Sequence, residues 1–466
     1  MRRLFLLGVR GFSACALMFV PLVVGSYASA ESMKNAVKTA LTTNPSSKAS
    51  LSDVRAIGDE LSGLRSEYLP SVDLFGELGG QVVENDNVLS VSDSGRLNAT
   101  RQIGVSTELT LFDGFRRANL VYRNAARLDG SIYRLLANSE TIALNAVEAY
   151  IDVVRHRNLL HIAKRNVSRH FELADQVRAR VSGGKSPISD GFQAQERFLA
   201  AREAVTGIEQ SLRDAEARYK RVVGHKPRGK MSIPYVKRLP KNLNALISSS
   251  IANNNRIKLA GTVANEAGFE REILESGRLP RVSLNGRTSY GADRNGSRGN
   301  DVDAFLGVNL SWSLYNGGAR KKQISAQQHR IDQANYQRED ITREVKELAS
   351  RAWNSLTANQ KRSALLRQQV QANRKIVQNY IEEFQLSKRS LLDVLDAERA
   401  KFNNEVQKLS SEASLSFARF RMLAAQSKLS GYFGHDSSVA VGAPTFEKKL
   451  IDTPRAIFNI ELEPLR

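Results

Sequence analysis

Cysteine is nearly missing from this chain: one, Cys15, occurs in 466 residues. That excludes a disulfide scaffold and leaves a cysteine-built zinc site without ligands. The six histidines, at 156, 161, 170, 225, 329 and 435, form no compact ligand cluster. No Ser-His-Asp or paired-carboxylate constellation is present either, so an enzyme reading has no motif and no cofactor site to rest on. Gly183-Gly184-Lys185-Ser186 ends like a phosphate-binding loop. Position 179, where that loop needs glycine, is Ala179.

Proline is scarce in an informative way. None occurs between Pro70 and Pro187, and none between Pro280 and Pro444. Such gaps permit very long helices, and 114–181 would run about 100 Å at ~1.5 Å per residue. Apolar residues step by three and four through Leu144, Val147, Ile151 and Val154, through Ile341, Val345, Leu348 and Ala352, and through Val377, Ile381 and Phe384. These are coiled-coil seams, expected of helices packed side by side.

One charge sign is in deficit. Lys and Arg number 68 against 48 Asp and Glu, a formal net charge of +20. The basic residues are interleaved with acidic ones along the helical segments, and no basic run alternates with stacking aromatics, which argues against nucleic acid.

The first thirty residues read as an export signal. Met1-Arg2-Arg3 and Arg10 are basic, Ala14 to Gly25 is apolar, and Ala28-Ser29-Ala30 is a small-x-small cleavage site. The apolar run is shorter than the ~20 residues that cross a bilayer. Cys15 precedes most of it, where a lipid-anchoring cysteine would follow. The mature chain is expected to start at Glu31 without a thiol and with a net charge reduced to +17 by the loss of three arginines.

Beyond that point the sequence repeats itself. Leu111-Phe112-Asp113-Gly114-Phe115-Arg116 returns 203 positions later as Leu314-Tyr315-Asn316-Gly317-Gly318-Ala319-Arg320. Lys185-Ser186-Pro187-Ile188-Ser189-Asp190 returns at the same offset as Lys388-Arg389-Ser390-Leu391-Leu392-Asp393. An internal two-fold repeat is therefore expected. Its halves are 31–224 and 245–434, with a proline-bearing connection at 225–244 and an irregular tail at 435–466.

Ahead of each long helix the period falls to two. Ile103, Val105, Thr107, Leu109 and Leu111 alternate with polar or small residues, as do Leu306, Val308, Leu310, Trp312 and Leu314. Partner strands follow Leu69-Pro70 and Leu279-Pro280, at 71–83 and 282–292. Strands of ~10 residues with one apolar and one polar side, in an exported chain without long apolar helices, point to a membrane β-barrel over a soluble sandwich. Four strands per chain are too few, since the smallest outer-membrane barrels use about eight. Three identical chains about one axis would supply twelve.

At the first turnaround, Gly183-Gly184 is placed to end a helix in a left-handed conformation. Ser186 then reads as the next N-cap and Pro187 as the first helical residue. At the second, Ser390 and Asp393 read as a cap pair, with Asp393 near a positive helix end.

These residues resemble the TolC-like outer-membrane channels of type I secretion and multidrug efflux. The resemblance covers nearly the whole mature chain to about Gly434. It rests on Ala40-Leu41-Thr42-Thr43-Asn44-Pro45, on the Leu-Pro strand openings, on the two strand-to-helix junctions, and most on Leu391-Leu392-Asp393-Val394-Leu395-Asp396-Ala397. It implies a membrane α+β fold: a homotrimeric 12-stranded β-barrel continued by a long α-helical coiled-coil periplasmic tunnel. It implies a cell outer-membrane location in a Gram-negative envelope, no cofactor, and a passive exit duct. The implied partners are outer-membrane lipid, a periplasmic adaptor (membrane fusion protein), and an inner-membrane ABC or proton-driven RND transporter.

Carried over residue by residue, Asp393 and Asp396 would form the periplasmic gate and selectivity rings, open to a blocking cation. Arg389 would engage Ser189 and Asp190 in gate-closing links. Phe384 stands where the family commonly has tyrosine, and Ser387 where it has a turn glycine. Within the family, a dedicated secretion channel is the nearest alternative to an efflux channel. Outside it, the alternative is an exported trimeric coiled-coil adhesin or structural protein, for which one stalk and one anchor would be expected.

Overall fold

The structure is a computed structural model, and it describes residues 31–82, 97–294 and 299–435. The expected signal at 1–30 and the tail beyond 435 lie outside the described residues.

The chain runs through α1 (Met33–Thr43), α2 (Pro45–Ser66), β1 (Ser71–Val82), β2 (Leu97–Phe112), α3 (Arg116–Ser182) and α4 (Ile188–Val223). The same order then recurs as α5 (Leu243–Asn253), α6 (Asn255–Ser276), β3 (Arg281–Ala292), β4 (Asn300–Ser311), α7 (Ala319–Gln385) and α8 (Leu391–Ala425), closed by the short α9 (Leu429–Tyr432). Both long helices, α3 and α7, hold 67 residues, about 100 Å of helix each. Among the described residues no helix is long and apolar enough to cross a membrane.

Asparagine makes the early break in each half. The Asn44 side chain accepts from Ser46 N at 2.9 Å, and the Asn254 side chain accepts from Arg256 N at 2.9 Å. A cap in extended conformation ends one helix and opens the next, with or without a following proline. At the strand-to-helix junctions, Asp113 Oδ2 accepts from Arg117 N at 3.1 Å and Asn316 Oδ1 from Arg320 N at 3.4 Å. The expected Asp-Gly and Asn-Gly-Gly motifs are thus helix starts. Gly114 and Phe115 (φ 67° and 70°) and Gly317 and Gly318 (φ 66° and 81°) make the sharp entry.

The four strands form one antiparallel sheet in the order β1-β2-β3-β4. Register sets Leu74 against Val105, Val105 against Thr288, and Thr288 against Ala304. One face therefore carries Val72, Leu74 and Leu78, then Ile103, Val105 and Leu109, then Leu284 and Tyr290, then Leu306, Val308 and Leu310. Most of these are wide open in the chain: Leu74 is 74% exposed, Leu78 86% and Leu306 75%. Period-two alternation places the polar residues on the opposite face. There the Arg287 guanidinium lies 4.5 Å from the centre of the Phe75 ring. Gly104 makes room for that ring: a Cβ at this position would come within 2.6 Å of both Phe75 and the Thr288 carbonyl oxygen. The last strand is shorter than its alternation implied. It stops at Ser311, and Trp312 turns away to donate its indole N–H to the Arg278 carbonyl at 3.0 Å. Leu314 also falls outside it.

Away from the sheet, the largest core gathers α1, the middle of α3, the ends of α4 and α8, α9 and the inter-half connection. Val147, Tyr150, Tyr219 and Phe420 are fully enclosed there, and Met231 and Val236 of the connection join them. Of the expected seams, Val147, Ile151, Val154, Val345, Ala352 and Val377 are buried, whereas Leu348 is 40% exposed because the buried stripe of α7 runs through Ala349 instead. Glu31 anchors the start: its carboxylate accepts from Tyr219 Oη at 2.7 Å and from Arg228 N at 2.9 Å. Burial and this carboxylate push the Tyr219 hydroxyl far above its usual range. Glu140, also buried, accepts from Leu429 N at 3.0 Å and Ser430 N at 2.9 Å, tying α9 to α3. Burial raises its carboxyl pKa, and those hydrogen bonds offset part of the rise.

Candidate functional site: the paired hairpin tips

The candidate site lies where α3 turns into α4 and α7 into α8, the ends of the helices remote from the sheet. Both turns close by the same hydrogen-bond pattern. In the first, Lys185 N donates to Arg180 O at 2.8 Å and Gly184 N to Val181 O at 3.0 Å. In the second, Lys388 N donates to Glu383 O at 2.8 Å and Ser387 N to Phe384 O at 3.0 Å. Gly184 takes φ 68°, as its sequence position predicts, and Ser387 takes φ 58°. Ser387 thus keeps the left-handed turn of a glycine, at a cost of about 1 kcal/mol.

The expected cap of α4 is shifted by one residue. Pro187, not Ser186, is the N-cap: its ψ of 153° is extended, the helix begins at Ile188, and no side chain caps it. Ser186 Oγ is instead turned toward Arg180 Nε, which donates to it at 3.4 Å. The second cap is as expected. Ser390 Oγ accepts from Asp393 N at 3.2 Å and donates to Asp393 Oδ2 at 2.7 Å.

A small core joins the tips, built from Leu173, Val177 and Ala194 on the first hairpin and Phe384, Leu391, Val394 and Leu395 on the second. Phe384 is buried within it. Asp393 and Asp396 sit on the first two turns of α8, both open to solvent at least in part. Arg197 of α4 reaches Asp396 with Nη2 at 3.6 Å from Oδ1. Within the chain, Arg389 donates to Glu383 Oε2 at 2.8 Å and stacks 4.2 Å from the Tyr380 ring centre, with Asp393 at 3.9 Å. It does not reach Ser189 or Asp190 of its own chain. Both residues lie in the first turn of α4, on the other hairpin.

Sequence reading missed Arg180 and Arg197. Each looked like one more cation on a solvated helix face, because its partners lie about two hundred positions away. It also missed a polar network one to two turns further from the tips. There Glu398, 2% exposed, accepts from Arg169 Nε and Lys401 Nζ, both at 2.9 Å. His170 is buried beside it, and its Nδ1 has no hydrogen-bond partner among the described residues. Burial, reinforced by Arg197, Arg169 and Lys401 and opposed by Glu398, holds its pKa below the usual value.

A histidine with a depressed folded pKa is neutral in the fold and takes a proton more readily when unfolded. Its contribution is complete above the unfolded pKa of ~6.5 and is lost as pH falls from there. Thermal denaturation at pH 7.5 and pH 5.5 should therefore show a smaller acid penalty for His170→Gln than for the native protein.

An amphipathic sheet whose helices run on into two long, tip-joined hairpins defines the protomer fold of the TolC-like outer-membrane channels. This chain belongs to the outer membrane efflux protein family, whose model matches residues 36–225 and 246–425. It is similar to the outer membrane efflux protein BepC of Brucella suis, with 24% identity over 422 residues and 90% of each chain covered. It also resembles outer membrane protein TolC of Escherichia coli, at 22% identity over 440 residues covering 89% of this chain and 86% of that one. Among solved structures, the outer membrane protein VceC of Vibrio cholerae superposes with a TM-score of 0.72 at 16% identity, covering 85% of this chain and 96% of the other.

Proposed function

We propose that three copies close a twelve-stranded barrel in the outer membrane and line a continuous periplasmic tunnel. The assembly then acts as the passive exit duct of a tripartite efflux or type I secretion system. A periplasmic adaptor and an energy-supplying inner-membrane transporter would open it at the hairpin tips. The observation that carries this reading is the sheet. It is apolar on one face and polar on the other, and among the described residues the outer edges of β1 and β4 have no partner strand. An exposed edge is a template for another strand, and only closure removes it. Three copies satisfy every edge while presenting the apolar face to lipid.

At the tips, Asp393 and Asp396 from three chains would form two carboxylate rings that favour cations. Conductance of the purified protein in planar bilayers tests this. Small cation-selective pores, blocked by an added trivalent cation, are expected from the native protein. Asp393→Ala/Asp396→Ala should abolish the block. Selectivity and block that ignore the double substitution would move the gate elsewhere, and no pores from verified trimers would sink the channel reading.

A further inference from the structure

The two hairpins meet through an apolar cluster, and at the turns themselves a polar residue crosses between them with its whole head group. Arg180 lies in the last turn of α3, and its guanidinium sits 4.6 Å from the centre of the Phe384 ring. Nη1 donates to the Phe384 carbonyl at 3.4 Å, Nη2 to Ser387 Oγ at 3.2 Å, and Nε to Ser186 Oγ of its own hairpin at 3.4 Å. Among the described residues no carboxylate lies within ion-pair distance of it. Its charge is met instead by a π face and by the carbonyl end of α7, where the helix dipole is negative.

We propose that Arg180 is the positioning residue of the entrance: the latch that keeps the first hairpin seated on the second within each protomer. This rests on the channel reading above. The contacts that cross to the second hairpin all fall on the last turn of α7 and the left-handed Ser387, so the latch reads the shape of that turn rather than a counter-charge. Each hydrogen bond is long and the group is partly solvated. A contact of this class shifts a two-state equilibrium by several-fold, not by orders of magnitude. Such a bias suits a closed state that a docking partner must overturn. The substitution of phenylalanine for the family's tyrosine has a counterpart here: a ring without a hydroxyl still offers its face to Arg180.

The test is single-channel conductance and open probability of the assembled protein in planar bilayers, with oligomer formation checked by electrophoresis without heating. Arg180→Ala should raise open probability several-fold while leaving the trivalent block at the aspartates in place. Arg180→Lys should recover only part of the closure, because an ammonium cannot stack on the ring and bridge both acceptors together. Arg178→Ala serves as the control, since among the described residues Arg178 makes only an exposed pair with Asp175 at 3.5 Å. Should Arg180→Ala fail to assemble, Phe384→Leu removes the ring face and Ser387→Ala the hydroxyl acceptor, and either should raise open probability. Native pores with unchanged gating in these variants, or an equal rise in Arg178→Ala, would overturn the latch and leave the channel standing. Absence of pores from the native trimer would overturn both.

Discussion

Leu306→Arg and Leu74→Arg should each strip most of the assembled protein from the outer membrane. Both residues lie on the apolar face, in neighbouring central rows of the sheet: Leu306 lines up with Gly286 and Leu74 with Val105. An arginine near the middle of a bilayer on the lipid-facing side of a barrel costs about 2–4 kcal/mol per chain. In the proposed trimer the cost arises three times. That sum is comparable to the whole stability of an ordinary domain. Asn309→Arg is the matched control, because Asn309 pairs with Ser283 on the polar face. Heat-modifiable electrophoresis of outer-membrane fractions should show the oligomer band lost for the two leucine variants and kept for Asn309→Arg. Loss in all three, or in none, would mean that the apolar face does not meet lipid.

The second large effect is expected deep in the helices. Glu398→Ala removes the acceptor of both Arg169 Nε and Lys401 Nζ and leaves two cations facing a cavity. Removing one partner of a buried ion pair costs about 3–5 kcal/mol. Arg169 and Lys401 keep 28% and 27% side-chain exposure, so water relieves part of that, and the low end of the range is expected. His170, already beside three cations, loses its one opposing charge and becomes still harder to protonate. Thermal melting of the detergent-solubilised oligomer should fall by several degrees for Glu398→Ala. It should recover in the double variant Glu398→Leu/Arg169→Leu, which replaces charge by apolar volume. A melting point unmoved by Glu398→Ala would show that the network is relaxed by water.

Much of the architecture was legible because periodicity is a one-dimensional signal. The gaps between prolines left room for α3 and α7, and the change of period marked the strands but overran the end of β4, which stops at Ser311. The offset of 203 holds through the hairpins: Gly184 and Ser387 occupy the same left-handed turn position. It does not hold ahead of them, where α1 and α5 begin at Met33 and Leu243. The difference is absorbed between the strands of each pair, in segments that carry no period. Caps were legible to within one residue, and Pro187 shows why: proline fits the N-cap and the first turn equally well, and only ψ separates them. Arg180 and Arg197 were not legible at all, because side-chain pairing across hairpins depends on which face each helix turns inward.

The equal lengths of α3 and α7 make the molecule a vernier. Both tips reach the same depth only because both rulers carry 67 divisions, and the contact between Arg180 and Ser387 is where the two scales are read against each other. A heptad inserted into one helix alone would slide its tip by about 10 Å and misalign the reading. Inserted into both, and matched in the return helices α4 and α8, it would leave the alignment intact. A change of length in this design must therefore be written in all four helices of the two hairpins.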